Sequence, residues 1–512
     1  MINILEYLEN TPNLDKTAFI GENSELTFRQ LTELSQSIGS YFCTHNIYKQ
    51  PIPVLMSKSP EMIAAFFGVV YSGNYYVPLD TEMPEVRIRM ILEKVMPKAI
   101  SGGKTELTPV ICDNTTEGVL KEWGYTTCNF SDISCQDINN AALTKVRRKA
   151  VDMDPVYVVF TSGSTGVPKG VVTNHRAVID YVDALCNVLD VNENTVFGNQ
   201  SPLYLDACLK ELFPTLKYGA STFLVPKSLF MFPIKLVEYI NQNGINTVCW
   251  VASAFSLVAG LGTLDKATPA TLKTIAFGSE VFPQKHLTAW RKALPNAKIV
   301  HLYGPTEATG MSAFHIVDRD YDTNEPIPIG KPFPNRQIVL LDDAGKIPPA
   351  GEPGEIHIRG SQLSLGYYGD DELTRKAFVQ NPLSPFPDTM YKTGDLGYMN
   401  ANGDLVFLSR KDHQIKHMGH RIELAEIEIA AREMNGVEMV CTIFDNDKSK
   451  IILYFTAKEG IEKNHVLAYL KSNLPRYMVP QQMYKLDSLP LTPGGKIDRT
   501  GLMAMYKENT KI

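Results

Sequence analysis

The stretch VYVVFTSGSTGVPKGVV at 156–172 decides how the rest of the chain is read. A β-branched run closes at Phe160, then Thr161, Ser162, Gly163, Ser164, Thr165 and Gly166 lead to Lys169 and a second apolar run. Glycines let backbone amides turn toward one centre, and hydroxyls add donors. With the mobile charge of Lys169, such a loop is shaped to hold phosphate oxygens. It is not GxxxxGK[ST], because Gly170 follows the lysine where that pattern requires a hydroxyl, and it is not GxGxxG. Taken alone, it also reads as a flexible surface loop of small residues.

Outward from this loop the pattern alternates. Short β-branched runs at PVYVVF (155–160), TVCWVA (247–252) and KIVHLY (298–303) are separated by helical periods such as 173–189 and 284–294. That alternation predicts a layered α/β architecture. MIAAFFGVVYSGNYYVPL at 62–79 is broken by Ser72, Gly73 and Asn74, so it predicts a buried helix running into a strand rather than a membrane span. GEIHIRG (354–360) alternates like a half-buried strand. Beyond Asp412, runs reading helix, strand, strand, helix predict a smaller α+β unit. The expected division is a large layered α/β N-terminal domain, 1–411, and a small C-terminal domain, 412–512.

Composition sets the bounds. With 512 residues, 44% hydrophobic and 21% charged, the chain is an ordinary globular one. A net charge of −6 excludes a broadly basic, nucleic-acid-coating protein. Eight cysteines without CxxC or CxxH spacing argue against a zinc ribbon and for reduced thiols in the cytosol. The start, MINILEYLENTPNLDK, has no basic segment ahead of an apolar run, so a cytoplasmic protein without a signal peptide is expected.

TSGSTGVPKG resembles the phosphate loop of the adenylate-forming enzymes, which include nonribosomal peptide adenylation domains, acyl- and aryl-CoA synthetases and luciferases. Further matches follow in order: LTFRQL (26–31), YYVPLD (75–80), YGPTEAT (303–309), GEIHIRGSQLSLGYYGD (354–370), YKTGDLGY (391–398), SRKDHQIKHMGHRIELAEIE (409–428) and PGGKIDR (493–499). They span nearly the whole chain. The resemblance implies the adenylate-forming fold and a reaction that joins a carboxylate to the α-phosphorus of ATP, releasing pyrophosphate. Two anions must meet, so the site has to supply positive charge and hold the partners in line.

By resemblance, Lys496 bridges the substrate carboxylate and the α-phosphate; on residue type alone it would be an exposed lysine. Glu307 is the implied Mg2+ ligand, Thr306 contacts the α-phosphate, and Tyr303 stacks on adenine. Asp395 accepts from both ribose hydroxyls, with Arg410 beside it. Gly278, Ser279, Glu280, Leu302 and Gly304 complete the implied nucleotide set. His301 departs from the family, which often has Asn there; a neutral imidazole still accepts a hydrogen bond. Asp412 matches the hinge about which a mobile small domain alternates, presenting Lys496 or the 415–423 segment.

Within the family the chain is similar to amino-acid-activating members. Asp206 in LYLDACLKELF (203–213) is the implied partner of the substrate α-ammonium. The other pocket positions map to Ala207, Lys210, Trp250, Ile275, Phe277, Leu302, Gly310 and Met311. Asp-Ala-Lys resembles glutamate-activating domains, but Trp250, Phe277 and Met311 form a bulkier, more apolar lining. Lys210 also lies four residues after Asp206, where a helix would let the two neutralise each other, favouring an aryl or aliphatic acid instead.

The chain ends thirteen residues after Arg499, leaving no room for a carrier domain. The layout is similar to D-alanine–carrier protein ligases, implying a monomer that loads the phosphopantetheine thiol of a separate carrier protein. Free coenzyme A is the alternative acceptor, making the chain an acid–CoA ligase. A non-catalytic nucleotide or metabolite binder is the alternative from another class. Intact Lys169, Glu307, Asp395 and Lys496 count against it.

Overall fold

The computed structural model of the protein describes residues 1–96, 108–163, 165–322, 325–412, 414–492 and 497–509. Ser164 and Lys496 lie outside them. The α/β class holds, and the runs singled out form strands Pro155–Thr161, Thr247–Val251 and Lys298–Tyr303 and helices His175–Leu189 and Gln284–Ala293. The apolar stretch 62–79 divides into helix Pro60–Tyr71 and strand Tyr75–Leu79. Ser59 starts that helix by accepting the Met62 amide, Pro60 fits its first turn, and Gly73 at φ +73° turns the chain out of it.

The described residues group into two compact units. The first comprises Met1–Thr81, Val95–Phe160 and Gly170–Lys411. Its nine-stranded sheet has a parallel centre running from Lys298–Tyr303 through Thr274–Gly278, Thr247–Val251, Val196–Asn199 and Ser221–Leu224 to Thr17–Ile20. A seven-stranded sheet carries parallel pairs of Pro51–Leu55 with Tyr75–Leu79 and with Val110–Cys112. Strands buried on both faces read as continuous apolar runs, as VCWV and PVYVVF do. A five-stranded antiparallel sheet contains Gly354–Gly360, Thr389–Met399 and Leu405–Arg410.

The second unit comprises Glu82–Lys94, Thr161–Lys169 and Asp412–Ile512. Strand Val437–Asp445 pairs antiparallel with Lys450–Ala457, which pairs parallel with Gln482–Lys485. Helices Leu424–Arg432 and Lys463–Asn473 bury Ile427, Val466 and Leu470 against that sheet. Two segments from much earlier in the sequence belong to this unit, which no local pattern announces. Arg87 reaches Glu426 at 2.6 Å in an ion pair almost wholly buried on both sides. No helix among the described residues is long and apolar enough to cross a membrane, and all eight cysteines are free thiols.

Candidate active site

Parallel sheets present their loops at the carboxyl ends of the strands, where ligands are bound. In the first unit these ends align the sequence-selected residues by register. Trp250 lies beside Phe277, Phe277 beside His301, and Gly278 beside Leu302. The His301 ring stacks on Phe277 with centroids 4.6 Å apart. Its Nδ1 donates to the Pro328 carbonyl at 2.7 Å, which makes Nε2 the acceptor nitrogen of the neutral ring. Beyond the strand, Ser279 adopts φ +69° and the Glu280 carboxylate accepts the Ser253 amide at 2.8 Å, at the start of helix Ala252–Gly260.

The YGPTEAT segment turns through a short 3-10 helix, Thr306–Ala308, that buries Glu307 completely. Tyr367 donates its hydroxyl to Glu307 at 2.6 Å, and the Glu307 carbonyl accepts the Ser364 amide. Thr309, fully buried at φ +51°, donates to the Gln362 carbonyl. Left-handed backbone at a non-glycine residue stores strain and marks sites whose geometry is held by their surroundings. Gly304 is obligatory, since a Cβ there would lie 2.2 Å from the Gly310 carbonyl oxygen.

Asp395 sits on strand Thr389–Met399 opposite Arg410 of Leu405–Arg410. Its two oxygens take different partners: Oδ1 accepts from Arg410 Nη1, and Oδ2 accepts from the Tyr303 hydroxyl at 2.5 Å. The Asp395 amide is held by Thr393 Oγ1, whose own hydroxyl donates to the Ile356 carbonyl. Burial, with the Asp395 charge, keeps the Tyr303 phenol protonated by raising it well above its usual range. Tyr303, Asp395 and Arg410, from distant points of the sequence, are thus one hydrogen-bonded set.

The positions that the resemblance assigns to an amino-acid pocket fall on several elements of the first unit. Asp206 lies in a 3-10 turn, Asp206–Cys208, that leads directly into helix Leu209–Tyr218. Asp206 and Lys210 thus stand on different elements, the 3-10 turn and the helix that follows it. Lys210 is 3% exposed and acts on the charge of Glu211, which is wholly buried. Burial raises the Glu211 carboxyl to about 8, against the pull of Lys210, Asn199 and Lys58. Burial likewise brings Lys58 down to about 8, while its ammonium faces the Asn199 and Gln200 carbonyls at 3.4 and 3.5 Å. Trp250 donates to the Gly198 carbonyl and packs on Phe230 and Phe255. Ile275, Leu302 and Met311 are buried, Ala207 nearly so, and a Cβ on Gly310 would stand 3.0 Å from the Tyr181 ring.

In the second unit, the glycine-rich loop is tightly folded. A Cβ on Gly163 would lie 2.0 Å from the Val167 carbonyl oxygen, and Gly166 adopts φ +82° while donating to the Gly163 carbonyl. Only glycine fits both positions. The Ser162 hydroxyl donates to the Arg421 carbonyl at 2.6 Å; Thr161 is buried and Thr165 exposed. Lys169 begins strand Lys169–Asn174. Asp412 accepts the Gln414 amide at 3.2 Å, just ahead of the hairpin Gln414–His417 and His420–Glu423.

Sequence reasoning passed over Tyr367, Thr393, Lys58, Asn199 and Glu211. Glu211 did carry a signal: LKELF places two charges inside a helix that the structure buries on all sides.

A family model described as AMP-binding enzyme matches residues 6–368. The chain belongs to that family. Bacitracin synthase 1 of Bacillus licheniformis is 31% identical over 95% of this chain but only 9% of its own length, so the chain spans less than a tenth of that relative. A nonribosomal peptide synthetase protein containing adenylation and PCP domains, solved with a vinylsulfonamide inhibitor, superposes with TM-score 0.83. It is 24% identical, with 98% of this chain and 84% of that one covered. The o-succinylbenzoate CoA synthetase of Bacillus subtilis gives TM-score 0.82 at 20% identity, covering 98% of both chains. At these identities the two structures establish the fold of this AMP-binding enzyme.

Proposed function

We propose that this AMP-binding enzyme activates an amino acid with ATP, releasing pyrophosphate, and passes the aminoacyl group from its adenylate to the phosphopantetheine thiol of a separate carrier protein. The observation that carries the reading is the buried Tyr303–Asp395–Arg410 set beside the YGPTEAT turn. Arg410 and Tyr303 fix the Asp395 carboxylate, so its lone pairs are oriented for a vicinal diol such as the two ribose hydroxyls. His301 offers a ring-nitrogen acceptor for the adenine amino group. The likeness to bacitracin synthase 1, together with the fold shared with a nonribosomal peptide synthetase protein containing adenylation and PCP domains, supports an amino acid as the acid and a carrier thiol as the acceptor.

No group of three or more His, Cys, Asp or Glu side chains suited to a metal occurs among the described residues. A single buried carboxylate, Glu307, fits Mg2+, which binds through one or two carboxylates together with substrate phosphates. Glu307 would hold it, oriented by Tyr367, and the ion would neutralise phosphate charge. Asp206 would receive the α-ammonium, and Ala207, Lys210, Trp250, Ile275, Phe277, Leu302, Gly310 and Met311 the side chain. The glycine-rich loop with Lys169 would contact the phosphates, Thr306 the α-phosphate, and Lys496 the carboxylate and α-phosphate together. Gly278, Ser279, Glu280 and Gly304 would shape the nucleotide cleft, with 1–411 and 412–512 as functional domains hinged at Asp412. The same reading makes the chain a cytoplasmic monomer, with its free thiols kept reduced.

The test is acid-dependent ATP–pyrophosphate exchange over free amino acids, aryl acids and short aliphatic acids. Exchange with an amino acid, falling at least about 100-fold in D206A as an unpaired ammonium is left at the site, is the expected result. Exchange only with acids lacking an α-amine would replace this reading by an acid–CoA ligase. No exchange with any acid would favour the non-catalytic binder.

A further inference from the structure

A cavity of about 360 Å³ lies in the first unit, away from the strand ends that carry the candidate active site. It sits where strands Tyr75–Leu79 and Pro155–Thr161 begin, so Asn74 and Asp154 line it, whereas the catalytic candidates follow the far ends of their strands. That volume falls within the range of small-molecule pockets, about 300–1,000 Å³. Leu5, Val70, Leu143 and Val146 give it an apolar wall.

Its polar lining is unbalanced. The carboxylates are already occupied: Glu9 accepts from Arg147 Nη2 at 3.2 Å, Glu6 pairs with the same nitrogen at 3.6 Å, and Asp154 accepts from Lys49 and from the Val151 amide. The donors are not. Arg147 Nη1 is buried without a partner. The Tyr71 hydroxyl, on a residue only 7% exposed, has no partner within hydrogen-bonding distance, although Gln36 and Glu9 stand beside it. The buried His175 accepts the Ile4 amide at Nδ1, which assigns its proton to Nε2, a third donor. Burial, reinforced by the Arg147 charge, holds His175 down at about 4, so the ring is neutral at ordinary pH.

Two buried donors without partners, with the His175 Nε2 proton on the same lining, call for an acceptor, and the guanidinium favours an anionic one. We propose that this cavity binds a small monocarboxylate with an apolar body, its carboxylate on Arg147, Tyr71 and His175 and its chain against Val70, Leu143 and Val146. The site is separate from the one that would activate an acid, and it holds whether or not the adenylation reading does.

The test is NMR of the full chain labelled at histidine, titrated with hexanoate, with hexan-1-ol as the uncharged control and the His175 resonance identified by its loss in H175N. The expected result is a saturable shift of His175 with a Kd of about 1 mM or tighter, and binding of hexan-1-ol at least about tenfold weaker. R147M should weaken hexanoate by about tenfold and Y71F by about threefold, the latter without loss of thermal stability because that hydroxyl has no bond to lose. ATP–pyrophosphate exchange should be unchanged in Y71F. A His175 resonance unmoved by about 20 mM hexanoate overturns the proposal. So does an equal response to hexan-1-ol, or an affinity that neither R147M nor Y71F alters.

Discussion

A fully buried carboxylate such as Glu307 is held in one orientation by what donates to it, and Tyr367 is 2.6 Å away. In the function proposed here Glu307 holds Mg2+, and a partner behind a metal ligand typically contributes about 10- to 100-fold in metal affinity or activity. Y367F should therefore lower adenylate formation by about that factor and raise the Mg2+ concentration needed for half-maximal exchange, with KM for the acid little changed. A Mg2+ dependence identical to the parent's would detach Tyr367 from the metal site. His175 sets a different residue-scale expectation. Burial lowers its pKa in the fold to about 4, against about 6.5 when unfolded. Between those values the unfolded chain binds the proton and the folded one does not, so stability falls as pH drops from 6.5 to 4, by about 3 kcal/mol in all. Urea unfolding across that range should show the slope, and H175N should flatten it.

At the scale of elements, helices Phe28–Thr44 and Pro60–Tyr71 cross closely because glycines meet them there. A Cβ on Gly68 would lie 2.6 Å from Ile38 Cβ, and one on Gly39 would lie 2.7 Å from Tyr71 Cβ. G68A should cost about 1–3 kcal/mol by overpacking, seen as a lower urea midpoint at unchanged slope. An unchanged midpoint would mean the helices can separate freely. Elements of this kind were legible in the sequence: strand Lys298–Tyr303 from its β-branched run, helix Pro60–Tyr71 from its apolar period and its Ser-Pro start. The ordered motifs likewise pointed to Tyr303, Glu307, Asp395 and Arg410. What stayed hidden depends on distance along the chain. Tyr367 lies 60 residues from Glu307, Lys58 far from Glu211, and Arg87 is 339 residues from Glu426. Periodicity reports which face of an element is buried, not which remote polar group it meets there. The Asp206–Lys210 spacing shows a complementary limit of such reading. It assumed one continuous α-helix, whereas Asp206 stands in the 3-10 turn that precedes it, where side chains project at a different angle.

On the scale of the whole molecule, the candidate residues divide between the two compact units. Glu307, Asp395 and Arg410 belong to the first, while Thr161–Lys169 and the 412–512 range that includes Lys496 belong to the second. In the function proposed here, the two half-reactions make different demands on these groups. Forming the adenylate brings a carboxylate onto a triphosphate, so it needs a cation to offset the approach of two anions. Transfer to a thiol attacks the acyl carbonyl of the mixed anhydride, whose one remaining charge sits on the phosphate and leaves with AMP; no carboxylate has to approach a triphosphate, so this step makes no such demand of the same lysine. K496A should therefore reduce ATP–pyrophosphate exchange by at least about 100-fold, the scale of losing one transition-state charge partner. Thioester formation from chemically prepared aminoacyl-AMP should stay within about threefold of the parent, a barrier change of under about 1 kcal/mol. Measuring both rates on one preparation separates the steps, and the parent's transfer rate guards against a general loss of fold. If both rates fall together in K496A while its thermal unfolding matches the parent's, the lysine serves a single arrangement in both steps, and alternation about Asp412 is not how this enzyme works.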